Sequence, residues 1–160
     1  MFIMTMKILI PTTPGGHLKQ ILLLADDLKT RFDLVFVTYK SSSIGNSLKN
    51  QKVRFVIDPF RRLKGIFRYP LLLVLSFQAL IILLKENPDA IVSAGANVPI
   101  PFCYLGKLLG KKIIFLESWS RVRVPSLSGK LAYKVSDLFF IQWKPLKRVY
   151  PKAVYAGRLM

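Results

Sequence analysis

Residues 7–17, KILIPTTPGGH, indicate the fold class of this 160-residue chain. The apolar run Lys7–Pro11 is typical of a strand that is buried on both faces of a sheet. A turn with two adjacent glycines, Gly15 and Gly16, follows it, and the next apolar residues recur at the spacing of one helical face. That face is formed by Leu18, Ile21, Leu22, Ala25 and Leu28. A strand, a glycine turn and a helix in this order form the opening unit of a parallel α/β sheet.

The alternation of short apolar runs with helical patterns continues to the C terminus and predicts an α/β fold, a parallel sheet with helices on both faces. After the first strand, further strands are predicted at 34–38, 53–57, 90–93, 112–116 and 138–142, with 153–155 as a seventh candidate. Helices are predicted from Phe67 to Lys85 and from Ile100 to Leu109, and a polar loop over 117–128. A chain of this length buries one core, which predicts a single domain over 1–160.

The charge of the chain predicts an anionic partner. It carries 25 Lys and Arg against 8 Asp and Glu, a net charge of +17, while 52% of its residues are hydrophobic, a fraction that excludes disorder. Four basic residues precede the apolar stretch 70–84, which at 15 residues is shorter than the roughly 20 that span a bilayer. This pattern favours an anionic membrane surface over nucleic acid. The predicted membrane contacts are Arg61, Arg62, Lys64, Arg68, Leu71, Leu72 and Leu75.

Polar groups follow three of the predicted strands at the edge where parallel sheets bind ligands. Gly15 and Gly16 let the backbone approach a ligand closely, and His17 can exchange a proton near neutral pH. Glu117 is one of few acidic residues and is predicted to be catalytic with His17. The accompanying ligand-binding candidates are Gly15, Gly16, Ser93, Gly95, Asn97, Arg121, Arg123 and Ser126.

Each of these stretches also has a purely structural interpretation. The glycines and small residues can serve as tight connections between strands and helices. Glu117 and Arg121 can form an ion pair that orders the loop, and Ser126 or Ser128 can cap a helix. No metal or cofactor site is predicted, and the single Cys103 is expected to serve packing in a reducing compartment.

The C-terminal segment is rich in aromatic residues with little chain left to cover them. Trp143, Tyr150 and Tyr155 are therefore predicted to contact another chain, since aromatic residues are enriched at interface cores. The alternative is that these side chains fold back on the core of the domain.

Taken together and in order, these motifs resemble the asparagine-linked-glycosylation protein 14 family, which includes PssD-like and EpsE-like polysaccharide-biosynthesis proteins. The matching stretches are Gly15-Gly16-His17, Ser93-Ala94-Gly95-Ala96, residues 110–118, Arg121-Val122, residues 125–131, Gln142-Trp143 and residues 153–157. The resemblance implies a Rossmann-like domain equivalent to the N-terminal, acceptor-binding half of MurG-type GT-B glycosyltransferases.

The same resemblance implies a function and partners. A small second subunit, similar to the C-terminal GT-B domain, would bind UDP-N-acetylglucosamine, and the pair would glycosylate a lipid-pyrophosphate-linked sugar at the cytoplasmic face of the membrane. His17 matches the family's glycine-histidine turn, and Glu117 and Arg121 match its glutamate-serine-x-x-arginine loop. A non-catalytic membrane scaffold for that partner is the alternative, and a nucleic-acid-binding domain is disfavoured because no such motif is present.

Overall fold

The computed structural model describes residues 5–58 and 69–159. Seven strands form one sheet in which every neighbouring pair is parallel. The strands are β1 (Lys7–Pro11), β2 (Asp33–Thr38), β3 (Lys52–Phe55), β4 (Ala90–Ser93), β5 (Lys112–Leu116), β6 (Leu138–Ile141) and β7 (Val154–Tyr155). Their order across the sheet is β3-β2-β1-β4-β5-β6-β7. The predicted fold class is therefore confirmed, and the seventh candidate strand pairs with β6.

In the described part of the chain, four α-helices lie between strands: α1 (Gly16–Leu28), α2 (Tyr69–Glu86), α3 (Pro99–Leu108) and α4 (Leu127–Tyr133). Short 3₁₀ segments occur at Ser42–Ile44 and Lys144–Arg148. Helix α2 ends before Asn87-Pro88 because the residue that precedes a proline is pushed out of the helical region. Gly110, just after α3, has a φ of 73°, as expected of a glycine that ends a helix.

Two apolar clusters lie on opposite faces of the sheet. One cluster joins residues of α2, α3 and α4, such as Leu83, Phe102 and Ala132, to the sheet. The other joins Leu18 and Ile21 of α1 to the opposite face. The central strands point buried side chains into both clusters, which explains why their sequences are continuous apolar runs.

The prediction that Leu75 contacts a membrane is wrong, because the residue is fully buried in the core. Leu75, Ala79 and Leu83 recur at every fourth position and form the side of α2 that packs on the sheet. Leu71 and Leu72 are partly buried. The predicted basic contacts Arg61, Arg62, Lys64 and Arg68 lie outside the described residues. On the outer side of α2 the exposed apolar residues are Leu73, Val74, Phe77 and Leu84.

Helix α2 is the longest of the described helices, yet none of the helices within 5–58 and 69–159 is long and apolar enough to cross a bilayer.

The prediction that Tyr150 forms part of a partner interface is also wrong. Only 1% of its surface is exposed, and its ring packs against those of Tyr133 and Phe139 at centroid distances of 4.9 and 4.6 Å. Tyr150 thus follows the second interpretation of the C-terminal aromatic residues, in which the side chain folds back on the core of the domain. Trp143 is half-buried and Tyr155 remains exposed.

Candidate functional site

The candidate site lies where the direction of the sheet connections reverses. Strands β1 and β4 are neighbours, but the chain leaves β1 for β2 on one side and leaves β4 for β5 on the other. Such a reversal opens a crevice beyond the carboxyl ends of the two strands, where α/β sheets bind ligands. His17 follows β1 and the segment 94–97 follows β4, so the topology brings both to this crevice.

His17 bridges the two loops. Its Nδ1 lies 2.8 Å from the carbonyl oxygen of Ala94. A carbonyl oxygen only accepts hydrogen bonds, so Nδ1 carries the proton of the neutral ring and Nε2 keeps its lone pair. Burial lowers the pKa of His17 below its usual value, although the bond to Ala94 acts in the opposite direction. The side chain is therefore an oriented imidazole that is neutral at physiological pH and has a basic nitrogen available.

Gly95 leaves the space that the imidazole occupies. A Cβ atom at this position would lie 2.8 Å from Cε1 and 2.9 Å from Nδ1 of His17, and the φ of Gly95 is 82°. Both facts require glycine here. Ser93, by contrast, was predicted to bind a ligand but is fully buried, and its hydroxyl donates to the carbonyl oxygen of Pro11 over 2.9 Å. Ser93 is therefore a structural group that joins the ends of β4 and β1.

A polar cleft of about 320 Å³ opens beside His17. Its walls come from three connections, those after β1, β4 and β5, and the start of α4. The lining residues are His17, Ala96, Asn97, Ser118, Ser120, Arg121, Ser126, Leu127 and Ser128. Asn97 and Arg121 are exposed and available to a ligand, whereas Arg123 is exposed outside this lining. The cleft thus combines one base, one cation and several neutral hydrogen-bonding groups.

Glu117 does not face the cleft as the sequence suggested. The side chain is fully buried at the end of β5, and four donors surround its carboxylate. Oε1 accepts from the backbone N–H of Ser118 at 2.9 Å and from the hydroxyl of Ser126 at 2.7 Å. Oε2 accepts from the backbone N–H of Ser126 at 3.2 Å and from the hydroxyl of Tyr150 at 2.9 Å. One carboxylate therefore fastens both ends of the segment 117–126, here called the cleft loop.

This arrangement explains how a carboxylate is tolerated inside the domain, since a buried charge needs hydrogen-bond donors on its oxygens. Burial, together with the adjacent Glu117, raises the pKa of Tyr150, so the phenol stays protonated and donates. Gly129 makes room for the group, because a Cβ there would overlap the Glu117 carboxylate and crowd the Tyr150 hydroxyl. Among the ion pairs of the described segments, none joins Glu117 to Arg121. The guanidinium of Arg121 therefore does not order the loop by the predicted ion pair.

Ser126 links the loop to the next helix, as the capping interpretation predicts. Its hydroxyl accepts from the N–H of Gly129 at 2.8 Å while it donates to Glu117. The sequence did not indicate that Tyr150 and Gly129 belong to this network. One signal could have pointed to them: a glutamate that follows a buried strand and has no basic partner needs several hydrogen-bond donors from other parts of the chain.

A second concavity of about 430 Å³ lies on the α1 face of the sheet and is lined mainly by apolar side chains, including Leu24, Phe140 and Leu159. Its charged lining residues, Asp27 and Arg158, stand among mainly apolar side chains. The polar cleft, which contains the oriented imidazole of His17, is the better candidate for a reaction site. In the two described segments, 5–58 and 69–159, no cluster of three or more His, Cys, Asp or Glu side chains is placed to hold a metal ion.

The switch-point cleft and the parallel sheet define a Rossmann-like domain of the kind found in MurG-type GT-B enzymes. The chain belongs to the family described as oligosaccharide biosynthesis protein Alg14 like, whose model matches residues 13–159. The family resemblance predicted from the sequence motifs is thereby confirmed.

Curated relatives of this chain are named UDP-N-acetylglucosamine transferase subunit ALG14. The protein from Rattus norvegicus is 43% identical over 82 residues, which cover 48% of this chain and 38% of the relative. The protein from Yarrowia lipolytica is 29% identical over 175 residues, covering 96% of this chain and 81% of the relative. The match to the rat protein therefore spans well under two thirds of that protein's length.

Solved structures share the fold at low sequence identity. MurG from Acinetobacter baumannii superposes with a TM-score of 0.72 at 15% identity, over 88% of this chain and 42% of that enzyme. A UDP-N-acetylglucosamine 2-epimerase from Rickettsia bellii gives a TM-score of 0.75 at 11% identity, over 98% of this chain and 46% of that chain. Each likeness covers less than half of the longer chain.

Proposed function

We propose that this chain is the acceptor-side subunit of a two-chain UDP-N-acetylglucosamine transferase. The observation that carries the proposal is the oriented imidazole of His17, held by Ala94 with Nε2 available, at the switch-point cleft of an Alg14-like chain. The names of the curated relatives supply the reaction class and the sugar.

In the proposed reaction, the acceptor is a sugar attached to a lipid through pyrophosphate. Nε2 of His17 accepts the proton of the attacking acceptor hydroxyl as its oxygen bonds to the anomeric carbon of N-acetylglucosamine. The bond from that carbon to the UDP oxygen breaks, and UDP leaves with the electron pair. Arg121 suits the acceptor pyrophosphate, because a guanidinium binds phosphate oxygens in a bidentate manner. Asn97 and the serines of the cleft suit sugar hydroxyls.

Glu117 acts in this proposal as a positioning residue. Its carboxylate has no free face toward the cleft, but it fixes the loop that carries Ser118 and Arg121. We assign Glu117 this positioning role in place of the predicted catalytic one, because donors within the domain occupy both of its carboxylate oxygens.

The donor sugar is assigned to a second chain resembling the C-terminal domain of GT-B enzymes. A GT-B site lies between two Rossmann-like domains, and this chain superposes on 42% of the MurG enzyme. The exposed Tyr155 and the half-buried Trp143 remain the predicted contacts with that partner. Tyr150 is omitted because it is buried.

The membrane contact is assigned to the outer side of α2 and to the basic residues that precede it. Leu73 and Phe77 lie one turn apart with exposures of 74% and 64%, and together with Val74 and Leu84 they make this side of the helix apolar. A patch of this kind is typical of an interaction surface. A net charge of +17 adds attraction to an anionic surface. This contact would hold the chain at the cytoplasmic face, where the lipid-linked acceptor is presented.

The test is sugar transfer by the isolated chain, by the candidate donor subunit and by the reconstituted pair. Only the pair is expected to transfer N-acetylglucosamine from its UDP donor to a lipid-pyrophosphate-linked sugar. Calorimetry with UDP-N-acetylglucosamine should show no micromolar binding to this chain alone. Turnover by the isolated chain would overturn the two-chain proposal, and an active pair carrying His17→Ala would reduce the chain to a scaffold.

A further inference from the structure

The end of the chain is connected to the cleft loop through two adjacent side chains, Gln142 and Trp143. These residues follow β6 and lie between the C-terminal tail, defined as residues 156–159, and the loop. Gln142 has no role in the proposed reaction, and Trp143 has only its predicted contact with the donor subunit.

Gln142 makes the first connection. The residue is 1% exposed, and its Nε2 donates to the carbonyl oxygen of Glu117 over 3.0 Å. Its Oε1 accepts from the backbone N–H of Leu159 over 3.1 Å. Both ends of one buried amide are therefore occupied, one by the base of the cleft loop and the other by the tail.

Trp143 makes the second connection. Its Nε1 donates to the carbonyl oxygen of Trp119 over 2.6 Å, which holds the exposed part of the cleft loop. The guanidinium of Arg158 lies 4.9 Å from the centroid of the Trp143 ring, a distance suited to a cation–π contact. The tail is itself anchored, because Leu159 packs against the apolar cluster on the α1 face.

We infer that Gln142 and Trp143 are positioning residues through which the placement of the tail sets the order of the cleft loop. The adjacent tail residues Arg158 and Leu159 contact the side chains of Trp143 and Gln142. These two side chains in turn hold the carbonyl oxygens of Trp119 and Glu117, so displacing the tail loosens both supports of the cleft loop together. The functional consequence rests on the proposed function. A donor subunit that binds the tail would change the order of the cleft loop, and with it the position of Arg121.

Hydrogen exchange of the 160-residue chain, followed by mass spectrometry, tests the connection without any activity measurement. Trp143→Phe removes the N–H that donates to the carbonyl oxygen of Trp119 but keeps an aromatic ring for Arg158. Leu159→Pro removes the backbone N–H that donates to Oε1 of Gln142. Each variant is expected to speed exchange in peptides covering 117–126 about three- to tenfold, the effect of losing one supporting hydrogen bond. Peptides from β1 and α1 should keep their wild-type rates.

Leu159→Met is the matched control for the proline variant, since it retains the N–H and an apolar side chain. This control should leave exchange of the loop unchanged. Loop rates that stay at the wild-type value in Trp143→Phe and Leu159→Pro, or that rise only together with the whole chain, would overturn the inference.

The reconstituted pair supplies the second readout. Trp143→Phe and Leu159→Pro should raise KM for the lipid-linked acceptor severalfold while KM for UDP-N-acetylglucosamine changes less than about twofold. Equal changes in both KM values would contradict a role in positioning the acceptor loop. An inactive wild-type pair would refute the proposed function, whereas the exchange result would still decide whether tail and loop are connected.

Discussion

Tyr150 donates its hydroxyl to Oε2 of Glu117 over 2.9 Å, although 33 residues separate them in the chain. The bond joins the segment before β7 to the end of β5 and is shielded from solvent on both sides. It explains why an aromatic residue near the C terminus belongs to the support of the cleft loop and not to an exposed surface.

Replacing Tyr150 with phenylalanine should therefore lower the free energy of unfolding by about 1–3 kcal/mol, since the Glu117 carboxylate loses one buried donor. Urea unfolding followed by circular dichroism measures the change. Tyr155→Phe is the control, because Tyr155 is exposed and should shift the midpoint little. Equal midpoints for Tyr150→Phe and wild type would show that the carboxylate is satisfied without the phenol.

The pKa of His17 predicts how transfer depends on pH. Burial holds this pKa below its usual value near 6.5, and Nε2 accepts a proton only in the neutral ring. The kcat/KM of the reconstituted pair should consequently be flat around neutrality and fall as the pH drops through a value below 6.5. His17→Ala should reduce kcat by about 10²-fold or more and abolish this acidic limb. An unchanged acidic limb in His17→Ala would assign the titration to another group.

Gly95→Ala should inactivate the pair by displacing the imidazole. The added Cβ would lie 2.8 Å from Cε1 of His17, which breaks the approach of Nδ1 to Ala94. Gly110→Ala is the matched control: its φ of 73° imposes comparable backbone strain, but its Cβ would meet nothing within 4 Å. Both variants should lose some stability in thermal unfolding, and only Gly95→Ala should lose transfer. Similar transfer rates for the two variants would refute the steric role of Gly95.

The strands and the switch point could be predicted from sequence because the information is local. Continuous apolar runs such as Ala90–Ser93 identify doubly buried strands, and the glycine turn before His17 marks a strand-to-helix connection. The carboxyl ends of parallel strands share one edge, which places His17 beside the β4 connection without any coordinates.

The errors arose where the environment depends on distant residues. Helix α2 is apolar nearly all round, so its sequence does not show that Leu75 faces the sheet and Phe77 faces outward. Glu117 is a scarce acid at a strand end in sequence, but its four donors come from residues up to 33 positions away. Neither a periodicity nor a motif encodes such partners.

The outer side of α2 provides the last prediction, which concerns membrane binding. Leu73 and Phe77 are exposed, and the basic positions Arg61, Arg62, Lys64 and Arg68 precede them in the chain. A basic side chain near an anionic surface contributes about 1 kcal/mol, and apolar side chains add to binding by insertion at the interface. Replacing Leu73 and Phe77 with serine, or reversing the four basic residues, should weaken sedimentation with phosphatidylserine-containing vesicles at least tenfold.

Two controls separate this surface from the general charge of the chain. Reversing the exposed residues Lys49, Lys130, Lys134 and Arg148 changes the net charge equally and should weaken binding much less, because attraction to the membrane falls off within a Debye length. Leu108→Ser removes an apolar side chain that is 84% exposed on α3 and should have no effect. If both sets of charge reversals weaken binding equally, the attraction is that of the whole basic chain. If Leu73→Ser/Phe77→Ser binds as wild type does, the outer side of α2 does not enter the lipid.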